Sequence, residues 1–117
     1  MPASTMTGPP AAAALRVTVL AMAGCPGAAL VEQRLARVLA GVPGVAVSYR
    51  IIASEQEAFR WGMHGSPTIL VGGSDPFAVP GQQASMSCRM FPAGSGRPGC
   101  APAEDQLRAA IARAARL

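Results

Sequence analysis

Leu15-Arg16-Val17-Thr18-Val19-Leu20-Ala21-Met22-Ala23-Gly24-Cys25-Pro26-Gly27-Ala28-Ala29 is the stretch whose reading decides the fold. Its first half is apolar and rich in β-branched residues, the composition of a buried strand. Gly24 interrupts it, and Cys25-Pro26 re-enters regular structure. Proline suits the first turn of a helix, where its missing N–H would have no partner and its φ is already helical. Cys25 is therefore expected at a helix N-terminus, at the carboxyl end of a central strand. Unpaired N–H groups and the positive end of the helix dipole converge at such a point and favour thiolate over thiol. That makes Cys25 the first candidate for a reactive group.

The segments that follow alternate helix and strand. Leu30, Val31, Leu35, Val38 and Leu39 recur at helical spacing, with Glu32, Arg34 and Arg37 on the outer side, and Gly41, Pro43 and Gly44 end the helix. Val45–Ile52 alternates as a second strand. Ser54-Glu55-Gln56-Glu57 is a capping box opening a short helix through Trp61. Gly65-Ser66-Pro67 leads into a third strand, Thr68–Val71. Ser85–Phe91 is expected as a fourth, antiparallel strand with Met86, Cys88 and Met90 on one apolar face. Pro92–Gly99 reads as a mobile loop. Pro102 introduces a last helix with Glu104 and Asp105 in its first turn and Arg113 and Arg116 in its last. The first strand, helix and second strand form a right-handed βαβ unit. The expected fold class is α/β: a small mixed four-stranded sheet with flanking helices.

Composition narrows the function classes. Half of the residues are hydrophobic and only 4% aromatic, so the core must consist of small aliphatic side chains. The net charge of +4 arises from ten basic residues, all arginine and dispersed singly. Without aromatic partners they form no nucleic-acid-binding stripe. No apolar run is long enough to span a membrane. Residues 1–14 lack the basic start of a signal peptide and read as a disordered leader, leaving 15–117 as one domain. Three cysteines without a secretion signal point to a cytoplasmic location and to reactive thiols. The spacing of Cys25, Cys88 and Cys100 fits no zinc pattern, and no metal or cofactor is expected.

Cys25-Pro26 at a strand–helix junction and Gly65-Ser66-Pro67-Thr68 opening a strand together resemble the thioredoxin-like superfamily in its glutaredoxin-like form. More narrowly, Gly65–Val71, Asp75-Pro76-Phe77, Ser87-Cys88-Arg89 and Glu104-Asp105-Gln106-Leu107 resemble small bacterial thioredoxin-fold proteins, some of them labelled alkylmercury lyase. The resemblance implies a three-layer sandwich and a cis-proline at Pro67 beside the reactive sulfur. It also implies a backbone at Ser66 that pairs with a bound extended peptide. The chain departs from the dithiol pattern at Ala28, where Cys-x-x-Cys would require a second cysteine, so the motif is monothiol.

The leading expectation is thiol–disulfide exchange, with Cys25 as nucleophile and Cys88 or an outside thiol as resolving group. Pro26, Ser66, Pro67 and Arg89 then form the substrate-binding residues. The partner is a thiol or disulfide, glutathione or a protein thiol. A second reading is binding or cleavage of soft metals and organomercurials by Cys25 and Cys88, with Asp75 or His64 as the acid. A third is a redox-silent interaction module. Arg89 as a lone strand arginine and His64 as a loop histidine are each ordinarily solvated, and Asp75-Pro76 reads as turn chemistry.

Overall fold

The structure, a computed structural model, describes residues 14–92 and 99–115. The leader assigned to residues 1–14 lies, except for Ala14, outside the described residues, as do most of the Pro92–Gly99 loop and Arg116. β1 (Leu15–Ala21) lies between two neighbours. It pairs in parallel with β2 (Val45–Ile51), from Leu15 opposite Val45 to Ala21 opposite Ile51. On its other side it pairs antiparallel with β4 (Thr68–Val71), from Val17 opposite Val71 to Leu20 opposite Thr68. Parallel neighbours need a crossover, which α1 (Pro26–Val38) supplies. Val17, Val19 and Leu20 are almost wholly buried, as a central strand covered on both faces requires.

The two faces hold different cores. Val17 and Val19 pack with Val31, Leu35 and Val38 of α1, with Ile69 and Val71, and with Leu107 and Ile111 of α3 (Glu104–Ala115). Leu20 belongs to a smaller cluster with Ile52, Met63 and Ala58 of α2 (Glu55–Trp61). The capping box forms: Glu57 donates its N–H to Ser54 Oγ at 3.1 Å, and Glu57 Oε1 accepts from Ala53 N–H at 2.8 Å. Gly62 closes α2 with a φ of 72°, a left-handed conformation that favours glycine. Among the described residues no helix is long and apolar enough to cross a membrane.

The small mixed sheet has three strands, and the expected fourth does not join it. Residues 64–66 form a short strand of their own, β3 (His64–Ser66), which pairs in parallel with β5 (Ser85–Cys88) as a separate two-stranded sheet. The expected apolar face at Met86, Cys88 and Met90 is also corrected. Cys88 and Met90 are exposed, whereas Arg89 and Phe91 are buried. β5 has only the narrow β3 to pair with, and the pairing shifts register between His64 and Ser66. Beyond Cys88 the chain turns its odd-numbered residues inward, where Arg89 finds a buried partner.

α1 and the segment before α3 are tied by Arg34, which donates to the carbonyls of Ala101 at 3.2 Å and Pro102 at 2.8 Å. That segment presses on the first turn of α1. A Cβ on Gly27 would collide with the Cys100 carbonyl and stand 2.8 Å from Pro67 Cδ. Neither neighbour is a flexible chain end, so Gly27→Ala should overpack the junction. We expect it to lower stability by about 2 kcal/mol in a denaturant titration.

Candidate functional site

Cys25 is the N-cap of α1, with extended backbone (φ −68°, ψ 117°) and Pro26 as the first helical residue. Its N–H donates to Met22 O at 3.2 Å, and its carbonyl accepts from Ala28 N–H at 3.2 Å. Its side chain caps nothing, unlike the serine or aspartate usual at that position, so the sulfur is not consumed by the helix. Cys25 is half-buried, and all three cysteines are free thiols.

The Pro67 segment is built against this turn. The Ser66–Pro67 peptide is cis, and the Pro67 ring lies against Gly27, two residues past Cys25. Ser66 Oγ accepts the Met22 N–H at 3.0 Å, fastening the residue before Pro67 to the residue after β1. Thr68 is fully buried: its hydroxyl donates to Gly65 O at 2.7 Å and accepts from His64 N–H at 3.0 Å. These bonds close the chain around Pro67. Cys88, though exposed, is the β5 residue paired with Ser66. A short series of contacts, through the backbone and the Ser66 hydroxyl, therefore runs Cys25–Met22–Ser66–Cys88. Cys100 is half-buried, with its carbonyl against Gly27.

Arg89 stands apart from its expected role. Its guanidinium donates through Nη1 to Asp75 Oδ2 at 2.8 Å and through Nη2 to Phe77 O at 2.9 Å. It also reaches Thr68 Oγ1 at 3.4 Å and stacks on the Phe91 ring, 4.6 Å from its centroid. The Arg89 and Asp75 side chains are only 5% and 3% exposed. The guanidinium is spent on internal partners, so Arg89 is a buried structural residue rather than a solvated one open to an anionic ligand. Asp75 is likewise committed. Besides Arg89 it accepts from Phe77 N–H at 2.9 Å, and it pairs with His64 Nδ1 at 3.0 Å. His64 thus belongs to this network. Sequence reasoning missed it because a buried charge is tolerable only beside its partner, and Asp75 and Arg89 are 14 residues apart.

On the other side of Cys25 lies a groove of about 350 Å³ between α1 and β2. Cys25 and Met22 stand at one end, Ala28, Ala29 and Glu32 form the helical wall, and Tyr49 to Ile51 form the strand wall. Burial, and then the charge of Glu32, push the Tyr49 phenol above its usual value of 10.0. Neither Glu32 nor Tyr49 stood out in sequence, because a groove on an edge strand leaves no periodic trace.

Comparison of the chain with protein-family models, curated proteins and solved structures gives no match. The reading of the site therefore rests on its residues. Among those described, no three His, Cys, Asp or Glu side chains gather as a metal site.

Two outcomes follow from this geometry. Asp75→Asn leaves the buried Arg89 without its counter-charge, and we expect a loss of about 3 kcal/mol in a denaturant titration. Tyr49 is the sole tyrosine, so phenolate absorbance reports it directly. The folded state favours its neutral form. That contribution to stability is present below pH 10.0 and is lost as pH rises through the higher folded value. Glu32→Gln should lower the absorbance midpoint yet leave it above that of the unfolded chain, because burial is the larger cause.

Proposed function

We propose that the protein is a thioredoxin-like thiol–disulfide exchange protein, of the three-layer architecture that the Cys25-Pro26 and Gly65-Ser66-Pro67-Thr68 motifs resemble, acting through Cys25. The observation that carries this reading is the state of Cys25: a half-buried free thiol at the N-cap of α1, making no cap hydrogen bond, with Pro67 packed on the same turn. The Cys25 thiolate attacks one sulfur of a disulfide, forming a mixed disulfide and releasing the other sulfur as a thiolate that takes a proton from water. A second thiolate then attacks the Cys25 sulfur, and the substrate leaves as a thiol. The cycle closes when outside thiols such as glutathione reduce the resulting disulfide on Cys25 and are themselves oxidised to a disulfide.

Cys88 is the internal candidate for that second thiol, because its strand partner Ser66 is bonded to Met22, which also receives the Cys25 N–H. Ser66 is fastened to Met22 and Pro67 packs against Gly27, two residues past Cys25, while Pro26 starts the helix. An outside thiol such as glutathione serves the same purpose when Cys88 is removed. The competing organomercurial reading needs an acid to protonate carbon. Asp75 is withdrawn from that task by Arg89, His64 and the Phe77 N–H, and His64 Nδ1 is itself held on Asp75, which favours exchange.

Alkylation followed cysteine by cysteine with mass spectrometry tests the assignment. Cys25 should react first, and Cys25→Ser should abolish exchange with glutathione disulfide. Mild oxidation of the wild type should give an internal Cys25–Cys88 bond, replaced by glutathione adducts on Cys25 in Cys88→Ser. Preferential reaction at Cys88 with Cys25 inert would overturn the proposal.

A further inference from the structure

The two sides of the Cys25 turn differ in access. Gly27 faces Pro67 and the Cys100 segment. There the outer edge of β3 is already occupied by the chain itself, since Arg89 N–H donates to Ser66 O at 3.0 Å. Ala28 and Ala29, by contrast, line the open groove toward β2. Their small side chains leave space beside the helix, and Val19 and Ala21 supply an apolar floor.

Within that groove Glu32 is the only acidic lining residue. The one basic lining residue, Arg50, lays its guanidinium on the Trp61 ring, 4.4 Å from the centroid. Glu32 lies four positions after Ala28, hence on the same face of α1. It is exposed, and among the described residues it takes part in no ion pair or side-chain hydrogen bond. It stands seven positions beyond Cys25, about 10 Å along the helix axis. Helical Cα–Cβ bonds tilt toward the N-terminus, so the Glu32 side chain leaves the helix in the direction of Cys25.

Resting on Cys25 as the reacting thiol, we propose that the groove between α1 and β2 is a subsite for small aminothiols and their disulfides, with the ligand's ammonium on Glu32 and its sulfur at Cys25. Tyr49 stays a neutral phenol beside Glu32 and is a hydrogen-bond partner for the same ligand. A groove of about 350 Å³ suits a small molecule. The chain as a whole carries a net charge of +4, which repels cations. Attraction of a cationic disulfide must therefore be a local property of the groove.

The step balances as ordinary exchange. The Cys25 thiolate bonds to one sulfur of the disulfide, the sulfur–sulfur bond breaks, and the departing thiolate takes a proton from water. The disulfide is reduced and Cys25 is oxidised to the mixed disulfide.

The test measures formation of the Cys25 mixed disulfide by mass spectrometry on the full chain. The probes are cystamine (cationic), bis(2-hydroxyethyl) disulfide (neutral) and dithiodiglycolate (anionic). Each probe is compared between wild type and Glu32→Gln, which cancels differences in intrinsic reactivity. Cystamine should react ~5-fold faster with the wild type, the scale of one exposed ion pair. The neutral probe should be unchanged, the anionic probe no faster with the wild type, and Glu55→Gln should behave as wild type toward all three. Equal cystamine rates in wild type and Glu32→Gln, with Cys25 reactive toward every probe, would overturn the subsite and leave Cys25 exchange standing. Failure of Cys25 to react with any probe would overturn both.

Discussion

The Arg89–Asp75 ion pair is the constraint on which the second half of the chain depends. A guanidinium and a carboxylate taken out of water cost several kcal/mol each unless geometry and further hydrogen bonds offset the loss. Here the offset is supplied by Thr68, Phe77 O, the Phe77 N–H, His64 and the face of Phe91. These partners come from four segments: β3, β4, the loop after it, and the residues beyond β5. A single pair thus gathers chain that has little apolar surface of its own. Phe77 and Phe91 meet edge to face at 5.6 Å beside it, so polar and aromatic contacts close the same corner.

Thr68 links this corner to the turn bearing Cys25. Its hydroxyl is bound within the Gly65–Thr68 loop and touched by Arg89, and that loop carries Ser66 and Pro67 to Met22 and Gly27. Cys25 is thereby held between two rigid features, the end of β1 and the start of α1, while its side chain is left unbonded. Small residues make this possible. Any side chain at Gly27 would push Pro67 or the Cys100 backbone away, whereas Ala28 and Ala29 keep the groove side open.

How much of this is legible in sequence depends on the range of the interactions. β1, α1, β2 and α2 were readable because their determinants are local: β-branched runs, apolar spacing, Pro26 at the helix start, and the Ser54–Glu57 box. The parallel β1–β2 pair follows from the βαβ connection, whereas the antiparallel member of the sheet is β4 and not the expected fourth strand. The fourth strand went astray because a run of alternating residues does not say which edge it will join. Met86, Cys88 and Met90 looked like an apolar face, but the pairing partner is three residues long and irregular. With so short a template, the burial of Arg89 beside Asp75 set the inward phase. Arg89 itself was misread because exposure is the rule for a single arginine, and only a distant carboxylate reverses it.

The same distinction bears on the site. Sequence marks a cysteine at a strand–helix junction, since that depends on adjacent residues. It does not mark what approaches the sulfur, since that depends on which surfaces the rest of the chain leaves uncovered. Along the edge of β3, β5 supplies the hydrogen bonds that an incoming extended segment would otherwise make. Strand addition at Ser66, as the resemblance implied, would require displacing that strand together with the Arg89 backbone that leads into the buried ion pair. The groove along α1 requires no such rearrangement. On the proposed reading, therefore, the contacts that stabilise the corner around Asp75 also bias Cys25 toward partners small enough to enter beside Ala28 and Glu32.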